Sequence, residues 1–73
     1  MYSVQFKNGK FLGLNMNRNF IYAHNQEFRR TFDSIEEIEK AQRFFCNELK
    51  ESVFFIVDKN LETIQKNIVV ISC

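Results

Sequence analysis

The chain has 73 residues, with ten Lys and Arg against nine Asp and Glu, a net charge of +1, and nine Phe and two Tyr. That length allows one domain, residues 1–73, whose small core must lean on aromatics or on homodimerisation to bury enough apolar surface. A balance this close to neutral implies no polyanionic partner. Cys46 and Cys73 stand too far apart in sequence for a zinc site or a redox pair.

Tyr2, Val4 and Phe6 alternate with Ser3, Gln5 and Lys7, the period of a half-buried strand. Asn8-Gly9 predicts a two-residue type I′ hairpin leading into a second strand over Lys10–Asn15. That register pairs Phe6 with Phe11 and Val4 with Gly13 on one face, and Gln5 with Leu12 and Ser3 with Leu14 on the other. Asn15 to Asn19 is an asparagine-rich loop. Phe20–His24 reads as a third strand, with Phe20, Tyr22 and His24 on one face and Ile21 and Ala23 on the other. Asn25-Gln26 turns the chain, and Glu27–Phe32 reads as a short fourth strand.

Ser34 to Lys50 predicts the one long helix. Ser34 is a good N-cap, Glu37 is placed to complete a capping box, and Glu36, Glu37 and Glu39 suit the positive end of the helix dipole. Ile35, Ile38, Ala41, Phe45 and Leu49 recur on one stripe, with Gln42 and Cys46 at its edge. Phe44 points away from that stripe. It either packs under a neighbouring loop or stands exposed as an aromatic anchor. Val53–Val57 follows as a central strand, Asp58-Lys59-Asn60 as a turn, Leu61–Gln65 as a short strand, Lys66-Asn67 as another turn, and Ile68–Ile71 as a final strand. The expected fold is α+β. An antiparallel sheet of five to six strands carries the helix, about 34–50, on one face, in the order βββ(β)-α-ββ(β).

The charge is segregated. Residues 1–32 hold Lys7, Lys10, Arg18, Arg29 and Arg30 against Glu27 alone, a balance of +4, and residues 33–73 balance at −3. His24 with Cys46 is the one conceivable thiol–imidazole pair, but a thiol on the apolar edge of a helix is deactivated. No glycine-rich phosphate loop exists, so the expectation is no catalytic residue, no cofactor and no metal. No run approaches the ~20 apolar residues of a membrane helix, and Tyr2 to Lys10 is unlike a signal peptide. Two thiols without a framework fit a reducing cytoplasm, with Cys46 as a core residue and Cys73 as a free thiol.

The hairpin VQFKNGKFLGLN and the helix entry TFDSIEEIEKAQ resemble the small orphan proteins of bacteriophages and mobile elements in low-GC bacteria. The abundance of Asn, Lys, Ile and Phe agrees. The resemblance implies an anti-CRISPR or other anti-defence inhibitor, non-enzymatic and acting by occluding a surface in the host cytoplasm. It carries no site residue with it.

Tyr, Phe and Arg dominate interface cores. Arg18, Tyr22, Arg29 and Arg30, with Phe44 as a further anchor, are therefore the expected partner-binding residues. The leading functional expectation is a protein-binding module that blocks a nucleic-acid-handling protein. Two alternatives stay open. One is a single-stranded nucleic-acid binder, through aromatics interleaved with cations. The other is a homodimeric structural or accessory protein.

Overall fold

Ser34 is extended (φ −143°, ψ 158°), and its Oγ accepts the Glu37 amide at 3.2 Å. This cap starts α1, Ile35–Leu49, in the computed structural model, which describes residues 1–71. The reciprocal arm of the cap reaches one residue further back than expected: the Asp33 amide, at 3.1 Å, donates to the Glu37 carboxylate. Lys50 ends the helix in the left-handed region (φ 57°), its amide bonded to Cys46 O.

Five strands form one antiparallel sheet: β1 Ser3–Phe6, β2 Phe11–Leu14, β3 Phe20–Ala23, β4 Val53–Val57 and β5 Thr63–Ile68. Their spatial order is β3-β2-β1-β4-β5, with α1 between β3 and β4 in the chain, so the fold is α+β. Val4, Phe6, Leu12, Phe54 and Ile56 join Ile38, Phe45 and Cys46 in the main core. Phe45 is its hub. Its ring meets Phe54 at 5.1 Å, Phe20 at 5.8 Å and Phe6 at 6.2 Å, each edge to face. Such pairs add about 0.5–1.5 kcal/mol each beyond area burial.

The first hairpin departs from the expected turn. Gly9 alone of its loop has positive φ (84°). Its amide donates to Phe6 O, and the Phe6 amide donates to Lys10 O, both at 2.9 Å. The loop therefore has three residues, a turn closed by a left-handed glycine. Gln5 consequently pairs with Phe11, one residue off the expected register. A slip of one residue exchanges faces. Leu12 thus joins Val4 and Phe6 under the helix. Gly13 falls on the other face, where a Cβ would sit 3.1 Å from Ala23 Cβ and 3.3 Å from Phe28 O.

The expected fourth strand is also corrected. Gln26–Phe28 is a single 3₁₀ turn capped by the Asn25 side chain. The segment after it fills a fork between β1 and β2. Arg30 N donates to Leu12 O at 2.7 Å, and Tyr2 and Phe32 exchange backbone bonds at 2.9 and 2.8 Å. Only the bridge Tyr2–Phe32 remains of a strand.

At the far edge, Lys66-Asn67 is no turn. β5 runs straight through both residues, with Gln65 opposite Ile56, Asn67 opposite Phe54 and one extra residue, Ile64, bulged out. The Asn67 side chain, and that of Gln65 before it, bond to the helix instead. Asn67 Nδ2 donates to Gln42 Oε1 at 3.2 Å, and Gln65 Nε2 to Glu39 Oε2 at 3.3 Å. Residues 69–71 are not strand, although the Val69 amide still donates to Ser52 O at 2.8 Å. A smaller cluster of Phe11, Ala23 and Val57, with Leu61 against it, seals part of the second sheet face.

Phe44 and Phe45 are adjacent but opposite in environment, exposed and buried respectively. Phe45→Ala should cost about 3–5 kcal/mol, enough to unfold most of a domain this small. Phe44→Ala should change stability by less than about 0.5 kcal/mol. Urea unfolding of the two variants followed by circular dichroism checks the contrast; equal losses would contradict the assigned faces.

Candidate interaction surface

The five residues expected to bind a partner do not converge. Arg18 sits in the turn between β2 and β3 with φ 62°, its amide bonded to Asn15 O, while Asn15 Oδ1 accepts from the amides of Asn17 and Asn19, both at 2.9 Å. That turn lifts Arg18 into solvent. Arg29 and Arg30 follow the 3₁₀ turn over Gly13. Arg29 is half-buried, its Nη1 donating to Gln26 O at 2.7 Å. The Arg30 guanidinium stands 5.3 Å from the Phe32 ring centre, and Phe28 beside them is 73% exposed.

Tyr22 is turned the other way. It lies beneath the C-terminal end of α1, with its ring edge-on to Phe6 at 5.5 Å. Its hydroxyl donates to Leu49 O at 3.3 Å and bonds the Glu51 carboxylate. Phe20 is held on the same side, against Phe45, and its amide donates to Glu48 Oε2 at 3.0 Å. The aromatic residues of β3 are therefore committed to the helix packing and do not form an open stacking platform.

Phe44 is 67% exposed, so it does not pack under a loop. It belongs to a groove of about 550 Å³ lined on α1 by Glu39, Lys40, Gln42, Arg43 and Phe44, and at the end of β5 by Ile68, Val69 and Val70. Ile68 is 72% exposed and Val70 93%. Both belong to the apolar run Ile68–Ile71 expected as a final strand. Their run of apolar neighbours hid that only Val69 is buried and that Ile71 is half-buried. Large apolar side chains gathered at one edge of a small domain, rimmed by charge, mark an interaction surface.

Cys46 is fully buried, and its thiol is pushed up to about 11 by burial and then by the nearby charge of Glu51. His24 is exposed at the end of β3. Among the described residues no three of His, Cys, Asp and Glu gather to hold a metal, and no helix is long and apolar enough to cross a membrane. Cys73 lies outside the described residues.

The Tyr22 phenol is pushed up to about 12, by burial first, then by its hydrogen bond to Glu51 and that group's charge. Its ordinary value is 10.0. An acid raised on folding stabilises the fold while pH is below its unfolded value; that contribution is lost as pH climbs from 10 towards 12. Tyr22→Phe should therefore lower stability at pH 7 by about 1 kcal/mol and flatten the alkaline fall. Thermal melts at pH 7 to 12 check this; parallel curves for both proteins would contradict the hydrogen bond's role.

No family model matches the chain, and no curated protein or solved structure is significantly similar to it.

Proposed function

We propose that this chain is a non-catalytic protein-binding module whose contact surface is the groove between α1 and the end of β5. The observation that carries the reading is a groove lined by Phe44, Ile68 and Val70, all largely exposed, beside an open sheet edge. None of the three is a member of the hydrophobic core clusters, so their apolar character is not spent on stability. Aromatic and aliphatic anchors inside a charged rim are the composition of an interface centre. Glu39, Lys40 and Arg43 supply that rim.

The finer reading is an inhibitor that occludes a nucleic-acid-handling protein, of the phage-borne anti-defence kind. It is supported by the segregated charge, +4 in residues 1–32, and by the resemblance of the hairpin and helix entry. Arg18, Arg29 and Arg30 then act at a distance, steering the encounter with a charged surface. A second reading, single-stranded nucleic-acid binding, draws on the exposed Phe28 with Arg29 and Arg30 after it. Retention of a labelled oligonucleotide that weakens steeply with salt would favour it.

The decisive comparison is between wild type and F44E/V70E, both immobilised and exposed to lysate of the natural host. A partner held through the groove is retained by the wild type and lost from the double variant, about a hundredfold weaker where two anchors are removed. Thermal stability should be unchanged. Equal retention by both proteins rules this surface out. If the partner handles nucleic acid, the wild type should slow it and the double variant should not.

A further inference from the structure

Backbone and charge are both left unpartnered along the β5 edge. The Val69 amide bonds Ser52 O, so by the alternation of an antiparallel ladder Gln65 and Asn67 also face β4. The amides and carbonyls of Lys66 and Ile68 therefore point outwards, on the longest strand in the molecule. The opposite edge is less available. β3 has four residues, and the Phe20 amide already donates to Glu48 on α1.

The charge beside the edge is one-sided. Lys40 and Arg43 on α1 line the groove, and Lys66 lies on the strand itself. All three are exposed, and among the described residues their side chains make no ion pair or hydrogen bond. Glu39 is the one acid in the groove lining, and it is turned onto β5, where its Oε2 accepts from Gln65 at 3.3 Å. Gln65 and Asn67 reach α1, so Lys66 between them stands on the other sheet face, level with Phe55. A strand laid along β5 thus meets cations on both its faces, Lys40 and Arg43 on the helix side and Lys66 on the other. It also meets apolar side chains on both, Phe44 and Val70 in the groove and Ile68 level with Val53.

We propose that this edge takes up an extended acidic segment of another protein as an added strand, its apolar residues on Phe44, Ile68 and Val70 and its carboxylates against Lys40, Arg43 and Lys66. This occupant rests on the reading of the groove as a protein-binding surface and names the chemistry of the partner. The outward amides and carbonyls repeat at the spacing of a peptide backbone, and the aliphatic anchors beside them give bases nothing to stack on. Both select a strand over other polyanions. Three unpaired cations against one committed acid select carboxylates over amines. Opposite charges facing each other across neighbouring strands attract, and like charges repel.

The test uses the intact chain and labelled peptides that repeat Val-Val-Glu-Glu, so that both faces of the bound strand carry both kinds of residue. Fluorescence anisotropy should show saturable binding that weakens as salt is raised. The same repeat with Lys in place of Glu should bind about tenfold more weakly. So should the acidic peptide methylated on its backbone nitrogens, which cannot donate to the edge. K40E/R43E and K66E, at exposed side chains, should each weaken the acidic peptide about tenfold and leave thermal stability unchanged. Equal binding of the Lys repeat or of the methylated peptide overturns the proposal, as does no binding at millimolar peptide. A single-stranded oligonucleotide that binds more tightly than the acidic peptide, and is lost from K40E/R43E, assigns the surface to nucleic acid and overturns it too. Sedimentation of the chain as a dimer that excludes the peptide does the same in favour of a second copy. A host partner still lost from F44E/V70E after any of these failures leaves the protein-binding reading standing, so the two fail separately.

Discussion

The packing of Phe45 against three strands is the contact on which the other features depend. Its ring touches Phe54 on β4, Phe6 on β1 and Phe20 on β3, so one side chain ties the helix to the centre and to one edge of the sheet. In a chain of 73 residues few contacts span so much of the fold. With Phe45 pointing inwards, the 100° step of the helix carries Phe44 to the outside, and the long groove beside β5 follows from the same geometry. The core residue and the proposed anchor are thus two consequences of one helix orientation.

A second constraint acts at Gly9. Its left-handed φ of 84° makes the first loop three residues long, and that choice decides which faces of β1 and β2 meet the helix. Leu12 comes inside. Gly13 goes outside and lets the 3₁₀ turn lie almost on the sheet. The backbone after that turn then closes the fork between β1 and β2, and Phe32 enters the core. The position of Arg29 and Arg30 is therefore a downstream result of a glycine 20 residues earlier in the chain. The same packing draws Tyr22 towards Leu49 and Glu51, away from Arg29 and Arg30.

What could be read from the sequence follows from how local each signal is. The helix was legible from Ser34 and Glu37 through the stripe of Ile35, Ile38, Ala41, Phe45 and Leu49, because capping and a 3.6-residue period are properties of neighbours along the chain. The apolar run Val53–Val57 was legible as an interior strand for the same reason. The hairpin was legible but its register was not: Asn8-Gly9 suits both a two-residue and a three-residue loop, and only the face that buries Leu12 separates them. Lys66-Asn67 resembles a turn because its partners, among them Gln42 on α1, are distant in sequence. Of the candidate site, the exposure of Phe44 was legible as one of two alternatives. The exposure of Ile68 and Val70 was not, since an apolar run at the end of a chain reads as core whether or not anything covers it. Tyr22 was misplaced because residue type alone does not distinguish an interface tyrosine from a core tyrosine whose hydroxyl finds a carboxylate.

The β5 edge carries features that natural sheets use against indiscriminate pairing: a lysine in mid-strand and a bulge at Ile64. It also carries the features that invite pairing, with outward backbone groups flanked by uncovered Ile68 and Val70. These are compatible only if the edge discriminates. Lys66 penalises every register that brings like charge to face it, and the bulge shortens the flat stretch available to an arbitrary strand. What remains is a short, offset line of donors and acceptors beside an apolar groove rimmed by Glu39, Lys40 and Arg43. Such an edge rejects most strands by repulsion or misfit and accepts those that are apolar where it is apolar and reversed where it is charged. Specific pairing at this edge therefore requires both the anchors and the lysine, the first for affinity and the second for choice.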